Sequence, residues 1–369
     1  MDKLKRFIDI YVPVEACTLR CHYCYITHHR LFANKLPKFK YDVETFRKGL
    51  SKDRLGGTCL LNFCGGGETL LPPELPQYLK AVLEEGHYIS IVTNATIDRA
   101  FEEISNFPQE YLERTFFKFS YHYLQLKERK LFDRFFNNIR KVRDAGASFT
   151  LEVTPSDELI PYIDELKELA QKEVGAIPHI TVARDEHDMS SLNILTKMSK
   201  EEYKKTWSVF NSKLFDYKFS IFNKKRKEFC HAGDWTLNLD MGSGILRQCY
   251  KSLYNQNIFD DVEKPIKFKP IGCNCMQPHC FNGHAWLALG TIPELVTPTY
   301  AELRNRICEN GSEWLTPQMK NFMSQKLYEN NEEYSNIRKS LINASMKLKF
   351  IKQNSSRKFR NFYDSIFHK

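Results

Sequence analysis

The chain has 369 residues, 42% hydrophobic and 27% charged, long and apolar enough for two domains or one large one with a full core, so it is globular rather than disordered. Its 11 cysteines read as reduced and as metal ligands. The opening Met1-Asp2-Lys3-Leu4-Lys5-Arg6 has no apolar signal-peptide core, and no apolar run approaches the ~20 residues that cross a bilayer, so the expected location is the cytoplasm.

Near the N-terminus an apolar strand, Ile8-Asp9-Ile10-Tyr11-Val12, runs straight into Cys17, Cys21 and Cys24. Three thiolates at Cys-x-x-x-Cys-x-x-Cys spacing wrap three corners of a [4Fe-4S] cube and leave the fourth iron without a protein ligand. A zinc knuckle is the alternative, since Cys and His at short spacing also hold zinc. A helix over residues 41–50 and a short buried strand over 58–63 follow, and the strand delivers Phe63-Cys64-Gly65-Gly66-Gly67-Glu68-Thr69. A zinc knuckle has no use for that glycine-glutamate motif. Loop and motif together resemble the radical S-adenosylmethionine (radical SAM) superfamily.

The resemblance implies that Cys17, Cys21 and Cys24 ligate a [4Fe-4S] cluster whose open iron is chelated by the amino and carboxylate groups of SAM. It also implies a cluster-side aromatic in Tyr23 and a hold on the SAM amino group by Glu68. Gly65, Gly66 and Gly67 lack Cβ and let the backbone approach a ligand closely.

Helices and strands then alternate: helix 75–85, strand 88–93, helix 98–106, strand 116–120, helix 131–144, strand 148–153, helix 158–172 and strand 179–183. Such alternation predicts parallel strands with crossover helices. Six units would make the α/β partial (βα)6 barrel of radical SAM enzymes, a resemblance covering about residues 5–190. Ligands gather at the carboxyl ends of such strands. The candidates there are Thr93 and Asn94, Ser120 and His122, and Glu152 with Thr154, where the superfamily contacts the ribose or methionine part of SAM. Arg184, just past the sixth strand, offers a planar fork for the SAM carboxylate. The first domain is set at residues 1–190. Residues 191–228, with a charged helical stretch over 199–215 and the Lys224–Lys227 basic run, read as a connection.

A second cysteine group occupies residues 229–290. Cys230 and Cys249 flank alternating residues around Gly242-Ser243-Gly244, which predicts a β-hairpin that brings the two thiols together. Cys273, Cys275 and Cys280 follow within a short Pro278-containing segment. The Gly244-x-x-x-x-Cys249 ending resembles the small auxiliary-cluster domains of radical SAM enzymes known as SPASM or, truncated, twitch. Full SPASM domains carry seven cysteines for two clusters; five here imply one auxiliary [4Fe-4S] cluster, on Cys230, Cys249, Cys275 and Cys280, with Cys273 spare. Exchange of Cys273 for Cys275 costs only a turn adjustment, and spacing alone does not separate iron from zinc.

Residues 291–369 read as mostly helical, with Pro293 and Pro298 punctuating the entry and Trp314, Met319, Phe322, Met323 and Leu327 at core spacing. The net charge of +9 lies almost entirely in the tail: from Arg338 to Lys369 nine Lys and Arg face a single acid, a net +8. Interleaved with Phe350, Phe359, Phe362, Tyr363 and Phe367, these residues suit an anionic partner, or else form a solvated helix that closes the domain. With 16 residues ahead of Cys17, no leader-recognition domain is expected at the N-terminus.

The resemblance implies that one electron, from a donor such as flavodoxin or ferredoxin, splits SAM to a 5′-deoxyadenosyl radical that abstracts hydrogen from a C–H bond. The substrate is a peptide or protein, or alternatively a sugar or nucleotide-linked small molecule. Oxidation and cross-linking pass an electron to the auxiliary cluster; epimerisation needs a thiol to return hydrogen, for which Cys273 is the candidate. The rival from another class is a non-catalytic iron–sulfur carrier or zinc module.

Overall fold

A computed structural model describes residues 2–33, 35–187 and 192–367, with side chains through Lys352. Six parallel strands, β1 (Arg6–Val12), β2 (Cys59–Gly65), β3 (Tyr88–Thr93), β4 (Thr115–Ser120), β5 (Ser148–Val153) and β6 (His179–Ile180), pair in sequence order. Helices Leu75–Glu84, Asp98–Ser105, Phe132–Asp144 and Ile163–Val174 alternate with them. The expected (βα)6 arrangement is therefore present.

Side chains alternate across each strand, and the two faces have different jobs. Ile8, Ile10 and Val12, Leu61 and Phe63, Ile89 and Ile91, Phe117 and Phe119, and Leu151 and Val153 all point into the larger apolar core, packed under the helices. Each such fully buried side chain contributes about 1.5–3 kcal/mol. The opposite face is apolar at the strand starts, where Phe7, Leu60, Tyr88 and Phe116 join a second core with Trp235, Trp286 and Phe322. Two residues further along each strand this inner face turns polar, at Asp9, Asn62, Ser90 and Lys118. The four are tied in part by Asn62 Nδ2 donating to Asp9 Oδ1 at 2.7 Å and Ser90 Oγ donating to Asn62 Oδ1 at 2.9 Å.

The small ladder of β7 (Arg184–Asp185) and β8 (Asn193–Ile194) follows β6. The stretch expected as one helix over residues 199–215 is instead two, Lys200–Trp207 and Lys213–Ile221. Asn211 breaks it in the left-handed region at φ 43°, and Ser212 caps the second helix by accepting from the Phe215 amide.

The predicted hairpin is present as antiparallel β9 (Thr236–Asp240) and β10 (Ile245–Arg247), with β11 (Asn255–Asn257) beyond. It does not stand apart: β9 pairs parallel with β1, Phe7 beside Thr236 and Tyr11 beside Asp240, making one nine-stranded sheet. Sequence patterning sees each strand's faces but not which edge accepts it. Beyond residue 291 the chain is mostly helical, as expected, after turns and a short bridge over residues 291–316. Helices Pro317–Met323 and Leu327–Asn330 precede one long helix, Asn336–Phe367. Of the tail aromatics, Phe359, Phe362, Tyr363 and Phe367 lie outside the described side chains. No helix among the described residues is long and apolar enough to cross a membrane.

Candidate active site

The carboxyl ends of the six strands open into a cavity of about 320 Å³. Cys17, Cys21 and Cys24 line one side, on the loop that leaves β1. That loop is held from two directions. The Cys24 amide donates to the Cys21 carbonyl at 3.1 Å, and Thr27 Oγ1 to the same carbonyl at 2.8 Å. Asn94 Nδ2, from the end of β3, reaches Thr18 Oγ1 at 3.0 Å and the Cys17 sulfur at 3.6 Å. Burial pushes the Cys17 thiol up to about 11 and raises Cys21 and Cys24 as well. Buried neutral thiols of this kind suit a positively charged iron core, which favours the thiolate.

The glycine motif is zipped onto the same loop: the Gly67 amide donates to the Val14 carbonyl at 2.5 Å and the Glu68 amide to the Ala16 carbonyl at 2.9 Å. A Cβ on Gly67 would lie 2.0 Å from the Ala16 oxygen, so only glycine permits the approach. Glu68 is buried, and its carboxylate accepts from Thr93 Oγ1 at 2.6 Å, the Asn94 amide at 2.8 Å and the Leu70 amide at 3.0 Å. Desolvation raises its pKa against those three bonds. A carboxylate fixed this way beside the thiols can accept from a cationic donor.

Of the strand-end candidates, Thr93, Asn94, Ser120, His122, Thr154 and Arg184 line the cavity, as do Tyr23 and Gly65–Gly67. The Tyr23 hydroxyl meets His122 Nδ1 at 2.7 Å, and burial holds that imidazole down at about 4. Glu152 requires a correction. It does not line the cavity but pairs with the fully buried Arg304. Its own desolvation acts to raise its pKa, and Arg304, Lys118 and Lys218 outweigh it and hold it low. Arg304 comes from the irregular C-terminal stretch, 152 residues away in sequence, and no local pattern announces such a partner.

Cys273 also requires correction. It is exposed, its amide donating to Asn343 Oδ1 at 2.9 Å and its sulfur meeting Asn343 Nδ2 at 3.5 Å, and it lines neither this cavity nor the second cysteine site. Cys64 of the glycine motif does line the cavity, as do Lys218, Phe281 and His284 from beyond β6. Cys64 was legible as an inward position two residues after Asn62 in β2; Lys218 carried no signal.

The other four cysteines, Cys230, Cys249, Cys275 and Cys280, border one small apolar pocket with Trp286, Leu287 and Ile292. Cys230 is bridged to Gly272 by paired backbone bonds of 3.1 and 3.0 Å. Burial, then the neighbouring thiols, raises Cys280 well above the usual range; burial lifts Cys249 to about 12, with Cys275 adding to it. Among the described residues no three His, Cys, Asp or Glu side chains close on a single metal ion. Four thiols near enough to repel one another around a shared apolar space fit a compact multinuclear cluster. Tyr250, next to Cys249, donates to Asp9 Oδ2 at 2.6 Å, and Asn282 Nδ2 to the same oxygen at 3.2 Å. The polar inner layer of the barrel thus reaches this second site directly.

The sequence model of the Radical SAM superfamily matches residues 11–169. Among solved structures, SuiB of Streptococcus suis is 16% identical over 70% of this chain and 64% of its own, with a TM-score of 0.45. The enzyme anSMEcpe with bound AdoMet and Cp18Cys peptide is 15% identical over 69% of this chain and 78% of its own, TM-score 0.46. BtrN in complex with AdoMet and 2-DOIA is 14% identical over 73% and 79%, TM-score 0.30. The chain thus spans just under two thirds of the length of SuiB. No curated protein matches. Residues 11–169, which carry the cluster loop, the glycine-glutamate motif and strands β2–β5, are a radical SAM domain.

Proposed function

We propose that the protein is a radical SAM enzyme that takes hydrogen from a C–H bond of a peptide or protein, ending in oxidation, cross-linking or epimerisation. The observation that carries this reading is the single cavity shared by Cys17, Cys21, Cys24, the Gly65–Glu68 turn and the strand ends. With a [4Fe-4S] cluster and SAM bound, the pair supplies reductive SAM cleavage and hydrogen abstraction, fed by an external donor such as flavodoxin or ferredoxin. The chain's own share is placement. Glu68 receives the SAM ammonium, Arg184 pairs its carboxylate, and Thr93, Asn94, Ser120 and His122 bound the remaining space. Tyr23, Tyr25 and Phe32 shield it from water.

The second thiol group supports an auxiliary [4Fe-4S] cluster on Cys230, Cys249, Cys275 and Cys280, within a segment over residues 229–290, to take an electron from the substrate or to orient it. The peptide reading rests on the resemblance of this segment to SPASM and twitch domains. A sugar or nucleotide-linked substrate is the second reading, favoured by Lys218 in the cavity wall, which has no ion pair among the described residues. The test is to incubate reconstituted, reduced protein and SAM with deuterated candidate peptides and nucleotide sugars. Deuterium in 5′-deoxyadenosine is the expected result, and its absence from every substrate of both classes while SAM is consumed contradicts hydrogen abstraction.

A further inference from the structure

The cavity lining carries charges of both signs. The Glu68 carboxylate stands with the cysteines. Residues beyond the matched segment add Arg184, Lys218 and His284, with the acid Glu186. Lys218, on helix Lys213–Ile221, lines the cavity and donates to Thr181 Oγ1; among the described residues no carboxylate lies within ion-pairing distance of it. His284 lines the same wall, and its Nδ1 is buried with no hydrogen-bond partner. Lys118 of β4, on the inner face of the barrel but outside the cavity lining, adds positive charge near both and has no ion pair among the described residues.

The other charges that face Lys218 are largely committed. Arg184 pairs with Glu186 at 2.7 Å and Arg304 with Glu152, which leaves Lys118 and Lys218 as the surplus. Burial, followed by Arg184, Arg304 and Lys118, lowers the Lys218 ammonium to about 7 against the pull of Glu152. His284 is held neutral by burial and then by the same four cations. A buried amine with no ion pair, in the same lining as an unsatisfied ring nitrogen, is completed by an anion that holds it protonated.

SAM does not account for it. In the reading above, the SAM carboxylate is taken by Arg184, which lines the cavity beside Lys218 and His284, so Lys218 still lacks an anion of its own. We propose that Lys218 and His284, in the wall of the cavity that also holds Glu68, form a receptor for an oxyanion of the substrate, a carboxylate or a phosphate. This rests on the radical SAM reading and adds the substrate's charge to it. The two sources of that oxyanion are an Asp or Glu side chain of a peptide and the phosphate of a nucleotide-linked compound.

The test uses reconstituted holoprotein without reductant, titrated with and without saturating SAM. The probes are acetyl-Ala-Glu-Ala-amide against its Gln counterpart, and uridine monophosphate against uridine. At least one charged probe should bind about tenfold or more tighter than its neutral partner, the scale of a hydrogen bond to a charged group. The pair that discriminates identifies the source. K218M should reduce the preference to less than twofold. Equal binding within both pairs, no binding by either anion, or an undiminished preference in K218M overturns the receptor.

A second measurement avoids substitution. Trace acetylation of the native protein at pH 7 should label Lys218 faster than exposed lysines, and the discriminating anion should slow that labelling at least threefold; labelling indifferent to both anions also overturns the proposal. Failure of the radical SAM reading would show separately, as full iron content with no SAM cleavage.

Discussion

Of the glycines, Gly67 leaves the least room for a Cβ. With a Cβ only 2.0 Å from the Ala16 carbonyl oxygen, Gly67→Ala must part the glycine turn from the cluster loop. The expected outcome is loss of SAM binding by at least tenfold and partial loss of iron from the Cys17 site, measured by equilibrium binding and iron assay. Normal binding in this variant would mean that the zipped contact is not needed. The thiols make a sharper comparison. Wild-type protein should hold about eight irons, four for each cubane. Cys273→Ala should keep them, since that thiol lies outside the shared pocket, whereas Cys249→Ala should fall towards about four. An equal loss from both would restore Cys273 to the ligand set.

At the scale of elements, the long helix Asn336–Phe367 has two unlike sides. Asn343 holds the Cys273 amide and sulfur, and Met346, only 5% exposed, packs by Gln248, the residue before Cys249. Ile337, Leu341, Leu348 and Ile351 are more than half exposed on the outside. Truncation after Ser335 therefore removes a clamp on the second cysteine loop as well as the basic tail. Iron content should drop from about eight towards four while the Cys17 site survives; unchanged iron would leave the helix only its charge to contribute.

Strand-level features were legible in the sequence because period-2 alternation is local: β3 and β5 fall at the expected residues, and the hairpin turns at Gly242-Ser243-Gly244. What was not legible came from distant pairing. The edge chosen by β9, the Arg304 partner of Glu152 and the approach of Lys218 to the cavity join residues tens to hundreds of positions apart. No window of sequence holds both members. The break at Asn211 was hidden for a different reason, since asparagine tolerates the left-handed region without advertising it.

Across the whole molecule, folding depends on histidines that must stay neutral. His87 is fully buried, accepting from the Cys59 amide at 3.0 Å and meeting the Leu50 carbonyl at 2.7 Å; burial, with Lys52 and Arg114 adding to it, lowers it to about 4. His179, between Ser212 and the Asn305 carbonyl, is lowered by burial and then by Arg306 and Arg304. Between the ordinary value of ~6.5 and the folded value, the unfolded chain binds more protons, so stability rises with pH in that window. Stability is complete above about pH 6.5 and falls on acidification, by about 3 kcal/mol from His87 alone at pH 4. Thermal melts should show this decline, and His87→Gln, which keeps a donor and an acceptor, should make it shallower. A melt independent of pH between 7 and 5 would contradict the neutral assignment.

Both thiol groups, the cavity and the strand-end side chains serve one claim, that the Cys17, Cys21 and Cys24 site directs reductive cleavage of SAM. Its most direct test is mass spectrometry of anaerobically reconstituted protein, reduced with dithionite and given SAM alone. The account predicts 5′-deoxyadenosine and methionine in equal amounts, abolished when Cys17, Cys21 and Cys24 are replaced by Ala. Full iron content with no 5′-deoxyadenosine, or S-adenosylhomocysteine as the sole product, would contradict it.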